Sequence, residues 1–182
     1  FKRKGFLAVS VIGTVAAAAA VGGLVLREKK PSTSDEGSAV VSEAPWSGEV
    51  SAVLRASADK SGGLEVCSAS GACAPADKGA AVEKGSVLKT DARTRAYIKL
   101  ADGSELALDR ATKIALSPKD ARKARVEQGT IVANVTSAKD ISAARFWTPQ
   151  GDVEVLGTKL AITAAEDRAS VEVARGTVRV RD

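Results

Sequence analysis

Beyond residue 48, apolar and polar residues alternate along most of the chain. The alternation runs through Val50 to Leu54, then Ala96, Ile98 and Leu100, Leu106 and Leu108, Ile114 and Leu116, and Ile131, Ala133 and Val135. It continues in Val153 and Val155, Leu160 and Ile162, Val171 and Val173, and Val178 and Val180. A period of two places every second side chain on the same face, which predicts strands with one buried side. Turn signals separate these segments at Lys84-Gly85, Asp102-Gly103, Gln128-Gly129, Pro149-Gln150-Gly151 and Arg175-Gly176. One stretch departs from the pattern. Ser117 to Arg125 sets capping-type residues ahead of good helix formers, so a single helical turn is expected there, with its cations on a solvated face.

A weak internal repeat aligns Val82-Glu83-Lys84-Gly85-Ser86-Val87, Val126-Glu127-Gln128-Gly129-Thr130-Ile131 and Val173-Ala174-Arg175-Gly176-Thr177-Val178. Each copy predicts a corner where one strand ends, glycine takes positive φ and the next strand begins. Gly85, Gly129 and Gly176, together with Gly157, are the expected structural turns. The fold class that follows is all-β, a two-layer β-sandwich or β-roll of short strands over residues 48–182.

The N-terminal part follows another rule. Phe6 to Leu26 carries no charge and is long enough, as a helix, to cross a hydrocarbon core of about 30 Å. A single transmembrane α-helix is expected over residues 6–26, with residues 1–5 as a cytoplasmic stub. Lys2, Arg3 and Lys4 precede the span without a compensating acid, which orients the N-terminus inward. A cleaved secretory signal cut near Ala16 to Ala20 is the rival reading. Against it stand the length of the apolar run and the basic cluster after Leu26. Residues 27–47, rich in Ser, Pro, Lys, Glu and Asp, read as a flexible linker. The chain has no methionine, so Phe1 is not an encoded start and a longer parent protein is expected.

Charge narrows the partners. The net charge of +5 comes wholly from residues 1–30, where six cations oppose Glu28, so residues 31–182 sum to zero. A neutral domain with 3% aromatic residues lacks both the phosphate-neutralising charge and the stacking platforms of nucleic-acid binding. Cys67 and Cys73, the only cysteines, have no histidine anywhere in the chain to help them bind zinc. A local disulfide in an oxidising compartment is the expected arrangement, the alternative being two unpaired small residues in a loop.

Several motifs occur in a fixed order: Lys84-Gly85-Ser86-Val87-Leu88-Lys89-Thr90, Ala96, Leu100-Ala101-Asp102-Gly103-Ser104, Leu108-Asp109, Gly129-Thr130-Ile131, Thr148-Pro149-Gln150-Gly151 and Leu156-Gly157-Thr158-Lys159. Over roughly residues 80–181 this order resembles the FecR family domain, the extracytoplasmic part of ferric-citrate-type signal transducers. The resemblance implies a membrane-anchored regulator in the bacterial inner membrane. Its periplasmic domain would bind another envelope or membrane protein, and a sigma factor would be engaged through a cytoplasmic segment that this chain lacks. The region that contacts a TonB-dependent receptor in the iron-citrate systems is also missing, so iron citrate is not the expected signal.

Without histidine, Ser-His and Cys-His nucleophile pairs cannot form. Asp102, Glu105 and Asp109 are expected as turn and surface acids. No catalytic, cofactor-binding or metal-binding residue is assigned, and no enzyme is expected. Asp102, Gly103 and Ser104 are the candidate interaction turn, since strand edges and hairpin tips can bind a protein without a deep pocket. The alternative to a signalling regulator is an envelope scaffold or wall-binding module for which the helix is only a tether.

Overall fold

The computed structural model describes residues 44–56, 62–137 and 141–181. The expected transmembrane helix, the stub before it and most of the linker lie outside them. Among the described residues no helix is long and apolar enough to cross a membrane.

The described chain is all-β. Its strands are β1 (Gly48–Arg55), β2 (Leu64–Cys67), β3 (Cys73–Ala76), β4 (Ala81–Val82), β5 (Val87–Thr90) and β6 (Thr94–Leu100), followed by β7 (Glu105–Leu108), β8 (Lys113–Leu116), β9 (Lys123–Asn134), β10 (Ala144–Thr148), β11 (Gly151–Ala164) and β12 (Ala169–Arg181). Period two is kept where the sequence shows it. In β6, Thr94, Ala96, Ile98 and Leu100 are buried while Arg95, Tyr97 and Lys99 face out. Packing also reaches ahead of Gly48, for Pro45 bridges to Ala121 and the buried Trp46 ring lies 5.4 Å from that of Phe146.

All twelve strands belong to one sheet, whose main path is β3-β2-β5-β8-β9-β7-β6-β1-β4. It curls because two strands change neighbours along their length. The first half of β9 pairs with β8 and, in parallel, with β10, whereas its second half pairs with β7 and β11. β11 pairs with β10 over residues 151–155 and with β9 over 159–164, and β12 follows β11 through both halves. The sheet therefore has two arms joined by β9, β11 and β12. Leu88, Ile114 and Phe146 from one arm, and Ile98, Leu108, Ile131 and Ile162 from the other, fill a single core. Each such side chain contributes about 1.5–3 kcal/mol by leaving water.

The expectation of short strands is corrected here: β9, β11 and β12 run for 12, 14 and 13 residues. Gly85 has positive φ in the turn before β5, but Gly129, Gly157 and Gly176 take positive φ inside β9, β11 and β12. Two of these sites share a construction. A Cβ on Gly129 would lie 2.5 Å from Thr112 Oγ1, and one on Gly176 would lie 2.7 Å from Thr158 Oγ1. Each buried threonine donates its hydroxyl hydrogen to the carbonyl just past the glycine, Thr112 to Thr130 and Thr158 to Thr177. Glycine lets the strand bend at these points, and the threonine hydroxyl supplies a hydrogen bond to the carbonyl beside the bend.

The helical turn expected at Ser117 to Arg125 does not form. Ser117 Oγ instead accepts the backbone N–H of Asp120 at 3.0 Å, a local turn that competes with helix, and Lys123 already begins β9. The bridge across the β2–β3 hairpin is present: Cys67 and Cys73 stand opposite each other and are joined as a disulfide.

Candidate functional site

The turn Asp102-Gly103-Ser104 joins β6 to β7, and its two polar side chains point inward. Asp102 Oδ2 accepts hydrogen bonds from Trp46 Nε1 at 2.9 Å, Arg122 Nε at 2.9 Å and Ser104 Oγ at 3.1 Å, while Oδ1 accepts the Ser104 N–H at 2.9 Å. Ser104 is fully buried, and its hydroxyl oxygen also accepts the Thr136 N–H at 3.1 Å. Gly103 is exposed, and the Asp102 side chain is 18% exposed.

Arg122, one of the cations expected on a solvated face, is buried. Its side chain is 3% exposed, and its guanidinium also donates to the carbonyls of Ser142 and Thr136. The residue has φ of 52°, a left-handed backbone that costs a non-glycine residue about 1 kcal/mol. That conformation sits where the turn after β8 feeds into β9 and the side chain drops beneath the β6–β7 hairpin. The cluster ties the entry segment (Trp46), the hairpin and the start of β9 to one carboxylate. It is a structural knot.

The second feature is the edge strand β12. It pairs only with β11, and its other edge has no partner among the described residues. Val171, Val173, Val178 and Val180 stand opposite the buried Ile162, Leu160, Val155 and Val153 of β11, so they carry the apolar face of the core past its last covered strand. Val171 and Val178 are partly buried against the core, but Val173 is 42% and Val180 55% exposed. Beside the Gly176 bend, Leu156 is 52% exposed and borders a shallow groove of about 560 Å³ with Ala143, Thr177 and Val178. On the opposite face β12 carries Glu172, Arg175, Arg179 and Arg181. Arg179 and Arg181 reach Glu154 at 3.6 and 3.2 Å, and Arg145 joins the same carboxylate at 3.3 Å. The sequence pattern showed these valines as a strand face, yet nothing in it revealed that, among the described residues, this face is left partly exposed.

The remaining acids hold local structure. The Arg93 backbone N–H, followed by the Thr94 hydroxyl, keeps the Asp91 carboxyl below the usual carboxylate range, and the Gly63 N–H adds to this. The Arg95 guanidinium at 2.7 Å does the same for Asp109. Among the described residues no group of three or more His, Cys, Asp or Glu gathers as metal ligands.

These observations define an all-β domain of curled antiparallel sheet in which, among the described residues, the edge of β12 is unpaired. The family model described as FecR protein matches residues 86–179, and the chain belongs to that family. Two crystal structures titled as a "putative anti-sigma factor" from Parabacteroides distasonis ATCC 8503, at 2.50 and 1.65 Å resolution, are similar at 18% identity with a TM-score of 0.40. Each comparison covers 52% of this chain and 50% of the other, so the chain spans half the length of those proteins. A search of the curated proteins found no match.

Proposed function

We propose that this chain is a membrane-tethered regulator of the bacterial envelope, of anti-sigma type, whose β domain works outside the cytoplasm by binding protein and not by turning over a substrate. The observation that carries the reading is membership of the FecR family over residues 86–179. Three features support it. The uncharged run from Phe6 to Leu26, with Lys2, Arg3 and Lys4 before it, suits one inner-membrane crossing with the N-terminus in the cytoplasm. The Cys67–Cys73 disulfide suits a periplasmic domain. The open edge of β12 offers unpaired backbone groups and exposed valines, the kind of surface that takes up another strand. A sigma factor would be engaged through a segment on the cytoplasmic side of the membrane.

Deleting residues 48–182 while keeping the N-terminal run tests the regulatory part. A changed transcript level in a small, defined gene set is expected. Altered envelope integrity without a discrete regulon would favour a scaffold or wall-binding module instead. For topology, a reporter fused after Asp182 should be active only in the periplasm.

A further inference from the structure

The free edge of β12 is complementary to itself. Its inward valines fall in two pairs on either side of the Gly176 bend, and the alternation inverts between them: Val173 and Val178 are five residues apart yet both stand opposite buried β11 residues. An antiparallel copy of the same strand, set so that residue 173 faces residue 178, brings Val171 opposite Val180 and Val173 opposite Val178. On the outer face the same register sets Glu172 against Arg179 and Ser170 against Arg181. Shifting it by two residues one way puts Val173 on Gly176 and Glu172 on Thr177; the other way keeps Val173 opposite Val180 and Glu172 opposite Arg181 but leaves Val171 facing Asp182 and Val178 facing Arg175. All four valines therefore meet valines, with acid facing base beside them, in the first register only.

We propose that a second copy of this chain occupies the β12 edge, pairing antiparallel about a two-fold axis near Arg175 and Gly176. The inference rests on the protein-binding reading of that edge and names its occupant. A two-fold axis repeats every contact, so the pair gains four cross-strand valine contacts and two Glu172–Arg179 contacts. Because both sets of valines lie on the core side of their strands, the two cores would run into one another across the seam. Val173 and Val180, more than two-fifths exposed in the single chain, would become interior residues.

The test uses the whole chain in detergent solution. Both native cysteines are bridged, so one added thiol reports alone. Arg175→Cys places that thiol beside the axis, and mild oxidation should give a covalent dimer. Ala169→Cys, whose two copies would lie on the order of 40 Å apart along the seam, should not crosslink. Light scattering should show a concentration-dependent dimer that Val173→Lys and Glu172→Arg each weaken at least tenfold, with circular dichroism unchanged. An equal mixture of Glu172→Arg and Arg179→Glu chains should associate again, since each residue then faces its opposite charge. A monomer at every concentration, equal crosslinking of both cysteine variants, or association untouched by Glu172→Arg would overturn the proposal. If the deletion of residues 48–182 still changed a defined gene set, the regulatory reading would survive that result and only the occupant would be wrong.

Discussion

Replacing Asp102 by Ala removes the one group that joins three parts of the fold, and its cost can be worked out from the contacts. The Arg122 guanidinium would remain, its side chain 3% exposed, with two carbonyl partners and no counter-charge. Breaking a buried ion pair from one side costs about 3–5 kcal/mol because the surviving charge stays out of water. Trp46 Nε1, the Ser104 hydroxyl and the Ser104 N–H would also lose their acceptor. Against the roughly 5–15 kcal/mol that holds a domain folded, this is a large share, equivalent to about 6–20 °C in Tm for a domain of this size. Arg122→Met should cost less, because the Asp102 side chain is 18% exposed and keeps its Trp46 and Ser104 donors. The two changes share a partner, so the double variant should lose at least 1 kcal/mol less than the sum of the singles. Urea titration followed by tryptophan fluorescence suits the site, since Trp46 is one of only two tryptophans. A loss under about 1 kcal/mol for Asp102→Ala, or additivity within about 0.5 kcal/mol, would refute the knot.

Gly129→Val should destabilise by more than 3 kcal/mol in the same titration, because its Cβ would meet Thr112 atoms at 2.5 and 2.6 Å on a backbone of positive φ. A loss no larger than that of a typical exposed strand substitution would show that β9 can straighten there. Cys67→Ser with Cys73→Ser should cost about 2–3 kcal/mol in the chain-entropy model for so short a loop, and thiol labelling of unreduced, denatured protein should find no free thiol. As to pH, the folded-state carboxyls of Asp91 and Asp109 lie below their ordinary value of 3.8, so their stabilisation is fully present above that value. It is lost as pH falls below 3.8 through the lowered values. Asp91→Asn should therefore flatten the acid limb of a stability profile while leaving its slope above pH 5 unchanged, and an altered slope there would contradict the assignment.

How far the sequence discloses this fold depends on whether a feature is local. The alternation in β6, β7 and β8 marks their buried faces correctly, since each strand lies in one arm and keeps one neighbour on each side. It misleads at Gln128-Gly129 and Arg175-Gly176. Glycine with positive φ serves a turn and a bulge equally well, and what separates them is a threonine distant in the sequence, Thr112 or Thr158, filling the space a Cβ would need. The Asp102 cluster is illegible for the same reason: its members lie 20 and 56 residues from Asp102. Arg122, in the polar run Lys119 to Arg125, looks solvated until the hairpin is seen lying over it. The disulfide, by contrast, could be read because both partners sit on one short hairpin.

Among the described residues, the same geometry that closes the core leaves the outer edge of β12 without a partner. A strand that bends from one arm to the other must follow its neighbour through both, so β12 repeats the course of β11 and inherits its inward-facing pattern. The inward residues of β11 are buried, but those of β12, one strand further out, are only partly buried or exposed. Proteins usually blunt such an edge with a short strand, lysines or proline. This one has 13 residues and neither lysine nor proline within it. Its charges sit on the outer face, where they do not shield the valines, and Glu154 already holds Arg179 and Arg181. An edge of this length and composition would be an aggregation hazard if it met any passing strand. Self-complementarity in one register turns that hazard into a selective contact, because a strand that lacks valines at the matching places, or a glutamate opposite Arg179, gains little from adding there.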